Sequence, residues 1–118
     1  MSKEEELMIY KQYLELMYYT LNIVMKYPKS ERLSLVNDIK ITTYEGIRKI
    51  ITANKLFNKS DRLKVLNELD IDLKMLKVFI RLSYRYKYIN KRNYAVWSKK
   101  ITNIGNLLGG WINSCLKV

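Results

Sequence analysis

Residues 94–115 read YAVWSKKITNIGNLLGGWINSC. Within them Tyr94, Trp97, Ile101, Ile104, Leu108, Trp111 and Cys115 recur at alternating spacings of three and four. That rhythm sets seven large or apolar side chains on one stripe of a single helix. Lys99, Lys100, Asn103 and Asn106 fall between them, and no Asp or Glu follows Asp72. Gly105, Gly109 and Gly110 also lie inside the pattern. A glycine in a helix interior costs about 1 kcal/mol relative to alanine. Three within six residues therefore predict close backbone approach by another helix or a second subunit, in preference to a helix that frays. Gly105, Gly109, Gly110 and the adjoining Trp111 form the expected oligomer interface.

The same period extends outward through the chain. Ser2 followed by Glu5 has capping-box spacing, with the acidic Glu4-Glu5-Glu6 placed well at a helix amino terminus. Leu7, Tyr10, Leu14, Met17, Leu21 and Val24 then give a first apolar stripe, which Tyr27-Pro28 ends. Pro28-Lys29 reads as a tight connection and Ser30 as the next cap. Leu33, Val36, Ile39, Thr43, Ile47 and Ile50 make a weaker second stripe, diluted by Thr42, Thr43 and Gly46. Ser60-Asp61 is the expected cap of a third helix with Leu63, Leu66, Leu69, Leu73, Leu76, Ile80 and Ser83 on its core face. Asn90 caps the fourth. The expected helices cover about 3–27, 31–54, 61–86 and 91–115. Helices of about 35 Å joined by short turns run antiparallel to their neighbours. The fold class is all-α: an antiparallel up-down-up-down four-helix bundle, one domain over residues 1–118.

Composition agrees with few, long elements, since one proline and four glycines leave little material for turns. The sole cysteine, Cys115, has no internal disulfide partner, so a reducing, cytoplasmic location is expected. The acidic start argues against a signal peptide, and no long uncharged apolar run suggests a membrane span. Twenty-two Lys and Arg against eleven Asp and Glu give a net charge of +11. The surplus is uneven: −1 over residues 1–28, +4 over 29–59, +3 over 60–89 and +5 over 90–118. A basic face of that kind attracts phosphate backbones or anionic lipid surfaces.

The absence of histidine excludes His-based acid–base catalysis, triads and His-metal sites. The carboxylates Glu68, Asp70 and Asp72 read as a solvated ion-pair face, with Lys64 four residues before Glu68. Cys115 reads as a buried structural thiol. No Gly-rich phosphate loop is present. Neither an enzyme nor a cofactor or metal is expected. The chemistry instead lies in Lys74, Lys77, Arg81 and Arg85, a stripe beside the core face of helix three that Lys87, Lys91 and Arg92 carry round the corner. Arginine suits phosphate through bidentate contacts, which singles out Arg81 and Arg85. Lys40, Arg48, Lys49 and Lys55 form a looser group on helix two. Tyr84, Tyr86 and Tyr88 interleave with these cations and either pack the bundle end or stack on unpaired bases. Tyr10, Tyr13, Tyr18 and Tyr19 ring helix one on several faces, as in a helix that is central or covered by a second chain.

The run Leu73-Lys74-Met75-Leu76-Lys77-Val78-Phe79-Ile80-Arg81-Leu82, then Tyr94, then Ile104-Gly105-Asn106-Leu107-Leu108-Gly109-Gly110-Trp111 resembles the accessory variability determinant (Avd) proteins of diversity-generating retroelements. These belong to a four-helix-bundle superfamily that includes proteins encoded in ribosomal RNA intervening sequences. The likeness covers the chain from about Met17 onward. Arg81 falls on an arginine the family commonly carries, while Ser83, Tyr84 and Trp97 depart from its pattern. The resemblance implies a homo-oligomer, a pentameric ring with a basic surface and no catalytic activity of its own. It also implies two partners, the element's reverse transcriptase and RNA, with DNA as a further ligand, and no membrane. A ribosomal-RNA-associated relative without a polymerase partner is the alternative, and a structural or membrane-surface helical module a third.

Overall fold

Helix α1 (Lys3–Val24) begins where the sequence says it should, because Ser2 and Glu5 close a capping box. Ser2 Oγ accepts from the Glu5 N–H at 3.2 Å, and the Ser2 N–H donates back to the Glu5 carboxylate at 3.5 Å. The computed structural model describes residues 2–117; of the expected domain 1–118, Met1 and Val118 lie outside the described residues. α2 spans Leu35–Lys55, α3 Lys59–Arg85 and α4 Lys91–Leu116.

Helix starts and stops differ from expectation around Pro28. α1 ends at Val24, three residues early, as Lys26 and Tyr27 tighten to i−3 carbonyls. Pro28 cannot continue an α-helix, and its carbonyl instead opens one turn of 3-10 helix over Lys29–Glu31. α2 consequently starts at Leu35, not 31, and residues 25–34 replace the tight connection. Ser30 caps nothing; Ser34 sits at the start of α2, with its hydroxyl donated to Glu31. At α3 the cap is Asn58, not Ser60, for Asn58 Oδ1 accepts from the N–H groups of Ser60 (2.8 Å) and Asp61 (3.2 Å). Asn90 caps α4 as expected, accepting from Asn93 N–H at 2.7 Å. Between α3 and α4 the Tyr88 and Lys87 N–H groups bond back to Ser83 O and Tyr84 O. This Schellman turn holds Lys87 at φ 64°, a left-handed conformation that favours glycine.

Each helix packs on two neighbours in the cyclic order α1, α2, α3, α4, and the diagonal pairs do not meet among the described residues. Tyr13 bonds to Thr43, Trp97 to Thr20 and Lys49 to Asp72, pairings consistent with antiparallel neighbours joined by short connections. The bundle measures 48 × 25 × 19 Å. The expected core stripes of α3 and α4 are buried, except that Leu63 and Tyr94 are only half-buried. In α2 Val36, Ile39, Thr43 and Ile50 are buried as expected, joined by Gly46 and Ala53, whereas Ile47 is half-buried and Leu33 is 92 % exposed outside the helix.

The α1 stripe requires correction. Ile9, Tyr13, Leu16, Thr20 and Val24 are buried, while Leu7 is exposed and Tyr10, Leu14, Met17 and Leu21 are half-buried. Two polar tips decide the register. Tyr13 lies over Gly46 and donates its hydroxyl to Thr43 O at 2.7 Å. Thr20 Oγ1 accepts the Trp97 indole N–H at 3.0 Å, whereas the indole nitrogen of Trp111, the other buried tryptophan, has no hydrogen-bond partner. Burial, with a smaller contribution from the Asp72 charge, raises Tyr13 above the ordinary tyrosine value, so the hydroxyl stays protonated.

Candidate nucleic-acid interface

Up-down topology gathers at one end of the bundle everything between α1 and α2 and between α3 and α4. Residues 24–40 and 81–95 meet there, with nine Lys and Arg against Glu31 and Asp38. Their net charge of +7 is most of the chain's +11. The opposite end, residues 2–8, 50–64 and 110–117, carries six Lys and Arg against four carboxylates. One end of the rod is therefore far more basic than the other.

Lys74, Lys77, Arg81, Arg85, Lys87, Lys91 and Arg92 are all exposed. Lys74 pairs with Asp70 at 2.5 Å; the other six have no carboxylate within 4 Å among the described residues. Arg81, Arg85, Lys87, Lys91 and Arg92 converge on the basic end, whereas Lys74 and Lys77 lie nearer the middle of α3. Lys91 and Arg92 occupy the first turn of α4, which contains no acidic residue. Cations there oppose the positive end of the helix dipole, an arrangement that an external anion relieves.

Sequence reasoning missed Lys26, Lys29 and Arg32 and placed Lys40 elsewhere. The structure brings these four to the same end, opposite the α3–α4 corner. Only the topology could have located them, since nothing local in Tyr27-Pro28-Lys29-Ser30-Glu31-Arg32 points toward residue 85. The expected helix-two group does not assemble. Arg48 pairs with Glu45 (3.7 Å), Lys49 with Asp72 (2.7 Å) at a largely buried α2–α3 contact, and Lys55 lies at the other end. The carboxylate face is thus divided between Lys74 and Lys49, rather than pairing Glu68 with Lys64.

A row of rings joins the two basic sides. Tyr27 packs on Tyr88 with centroids 5.3 Å apart, and Tyr88 on Tyr86 at 6.0 Å. Tyr84 packs on Tyr94 at 4.8 Å. Tyr88 donates its hydroxyl to Glu31 at 2.8 Å, tying the α1–α2 connection to the α3–α4 corner. Hydrogen bonds from Ser34 and then Tyr88 hold the Glu31 carboxyl below its usual value, and the same contact raises Tyr88. Burial pushes the Tyr27 hydroxyl up to about 12; nearby Ser83 opposes this, but it donates to Phe79 O and leaves Tyr27 Oη without a hydrogen-bond partner. Tyr86, 60 % exposed, is the most open ring of this row.

The glycines of α4 are resolved in part. The helix runs unbroken from Lys91 to Leu116, so fraying is not their reason. No atom lies within 4 Å of a Cβ added at Gly105, Gly109 or Gly110, so no helix of this chain approaches them either. Gly105 borders a groove of about 330 Å³ between α3 and α4, lined also by Lys74, Lys77 and Asn106. Trp111, grouped with them in the expected interface, is instead fully buried in the chain's own core. Cys115 is buried on the same stripe. No helix among the described residues is long and apolar enough to cross a membrane.

A family model described as bAvd-like matches residues 7–115. The chain belongs to the bAvd-like family. The match reaches ten residues further toward the amino terminus than the resemblance read from Met17 onward, and takes in most of α1. Among solved structures, the bAvd-like chain is similar to a crystal structure of a protein of unknown function from the S23 ribosomal protein family of Bacteroides thetaiotaomicron. Identity is 17 %, the TM-score is 0.84, and the match covers 92 % of this chain and 98 % of the other. That likeness shows the shared four-helix fold. No curated protein matches the bAvd-like chain.

Proposed function

We propose that this bAvd-like chain is a non-catalytic accessory subunit that holds template RNA or its cDNA beside the reverse transcriptase of a diversity-generating retroelement. The observation that carries the reading is the net +7 charge gathered at one end of the bundle. Phosphate binding by such a surface releases counterions, so affinity falls steeply with salt. With about five phosphates neutralised on a single strand, a fourfold rise in salt weakens binding about 100-fold. Filter binding of RNA at several salt concentrations tests this; a flat response removes the electrostatic reading.

The chain acts as a homo-oligomeric scaffold, a pentameric ring. Support comes from α3, whose Ile71, Met75, Val78 and Leu82 follow at spacings of four, three and four on the face opposite its leucine core stripe, each at least 39 % exposed. A helix apolar on two opposite faces has one face left to cover. Met75→Asp with Val78→Asp is expected to lower the native mass, read by light scattering, while the bundle stays helical. A monomeric wild-type particle overturns the scaffold. The S23-family fold neighbour favours a second reading, a ribosomal-RNA-associated protein with no polymerase partner. A reverse transcriptase gene and paired repeats beside this gene separate the first reading from the second.

A further inference from the structure

At the basic end a notch of about 520 Å³ opens between the end of α1 and the start of α2. Its floor includes Tyr27 and Val36, and Lys29, Arg32 and Lys40 line it as well. Met25 and Leu33 also line it, and they are 79 % and 92 % exposed, among the most exposed large apolar side chains of the molecule. Glu31, the only carboxylate of the connection, is not part of this lining; Ser34 and Tyr88 hold it.

Resting on the nucleic-acid reading above, we propose that this notch receives an unpaired nucleotide of the bound strand, making the surface selective for single-stranded over duplex nucleic acid. Three cations beside an apolar floor suit a base joined to its phosphates. A duplex satisfies the cations but keeps its base faces stacked inside, leaving Met25 and Leu33 in water. An unpaired nucleotide satisfies both. An acidic apolar peptide shares part of that chemistry, yet it brings few charges to an end carrying +7. A strand that leaves the notch meets further cations at Arg85, Lys87 and Lys91.

The test is fluorescence anisotropy with a labelled RNA single strand of about 12 nucleotides, within the usual span of such sites, and a blunt hairpin with the same number of phosphates. The single strand is expected to bind about tenfold tighter, the worth of one stacked base. Met25→Ser combined with Leu33→Ser changes only exposed side chains, and a thermal melt checks that the fold is kept. This variant is expected to erase the preference while leaving hairpin affinity and the salt slope unchanged. Equal binding of both forms by the wild type, or a preference that survives the double substitution, overturns the notch assignment. Loss of binding to an acidic amphipathic peptide, with RNA preference intact, overturns it in favour of a protein ligand. Failure of both RNAs to bind at low salt sinks the nucleic-acid reading itself.

Discussion

Four glycines in helices do two opposite things in this protein. At Gly46 a Cβ would overlap the Oη and Cζ atoms of Tyr13, a fully buried ring tied down by its bond to Thr43 O. Gly46→Ala should therefore destabilise the bundle by about 1–3 kcal/mol through overpacking, outweighing the ~1 kcal/mol gain in helix propensity. At Gly105 and Gly109 an added methyl meets nothing. Alanine there should raise the denaturation midpoint of the isolated chain, by up to about 1 kcal/mol each. Urea titration of the three variants checks both signs, and a fall at Gly105 would show that something unseen approaches it. Thr20→Val should cost about 1–3 kcal/mol, because the buried Trp97 N–H loses its acceptor. None of this was legible in the sequence beyond a glycine that thins a stripe. Gly46 takes its meaning from Tyr13, thirty-three positions away, and only the α1 register puts the two together.

That register explains what could and could not be read at the scale of the elements. α3 and α4 carry charged or amide side chains on their flanks, so their core faces stand out by contrast. α1 is apolar round most of its circumference; the period identifies a helix but not which side goes in, and hydrogen bonds from Tyr13 and to Thr20 settle it. Pro28 likewise announces a stop without announcing the 3-10 turn that follows. That connection is held by Glu31, whose depressed value makes its contribution present above its usual value of 4.5 and lost as pH falls through the folded one. Tyr88 is raised, so its share is complete below 10 and is lost as pH climbs through the folded value. The clasp is thus whole between those limits. Glu31→Gln should flatten the acid limb of stability against pH, measured as urea midpoints at successive pH values; an unchanged acid limb would mean that the clasp carries no stability.

For the whole molecule, the bundle and the cation stripe of α3 were readable from spacing, because a helical period and a run of lysines and arginines are local facts. The basic end was not, since four of its nine cations come from the α1–α2 connection and the first turns of α2, and only the antiparallel path joins them to the corner. That asymmetry gives a matched-pair prediction. Neutralising Arg32, Lys91 and Arg92 together should reduce RNA affinity at least tenfold and lower the salt slope by about 0.7 for each phosphate left unneutralised. Neutralising Lys3, Lys55 and Lys64 at the far end should change neither by more than about twofold. Equal losses from the two sets would mean that charge acts without regard to place.

A slender body 48 Å long with its surplus at one tip is an electrical arrow, turned by the field of a polyanion before contact. Cyclic symmetry keeps equivalent tips on the same side. A ring with such arrows set along its symmetry axis would have two unlike rims, one far more basic than the other.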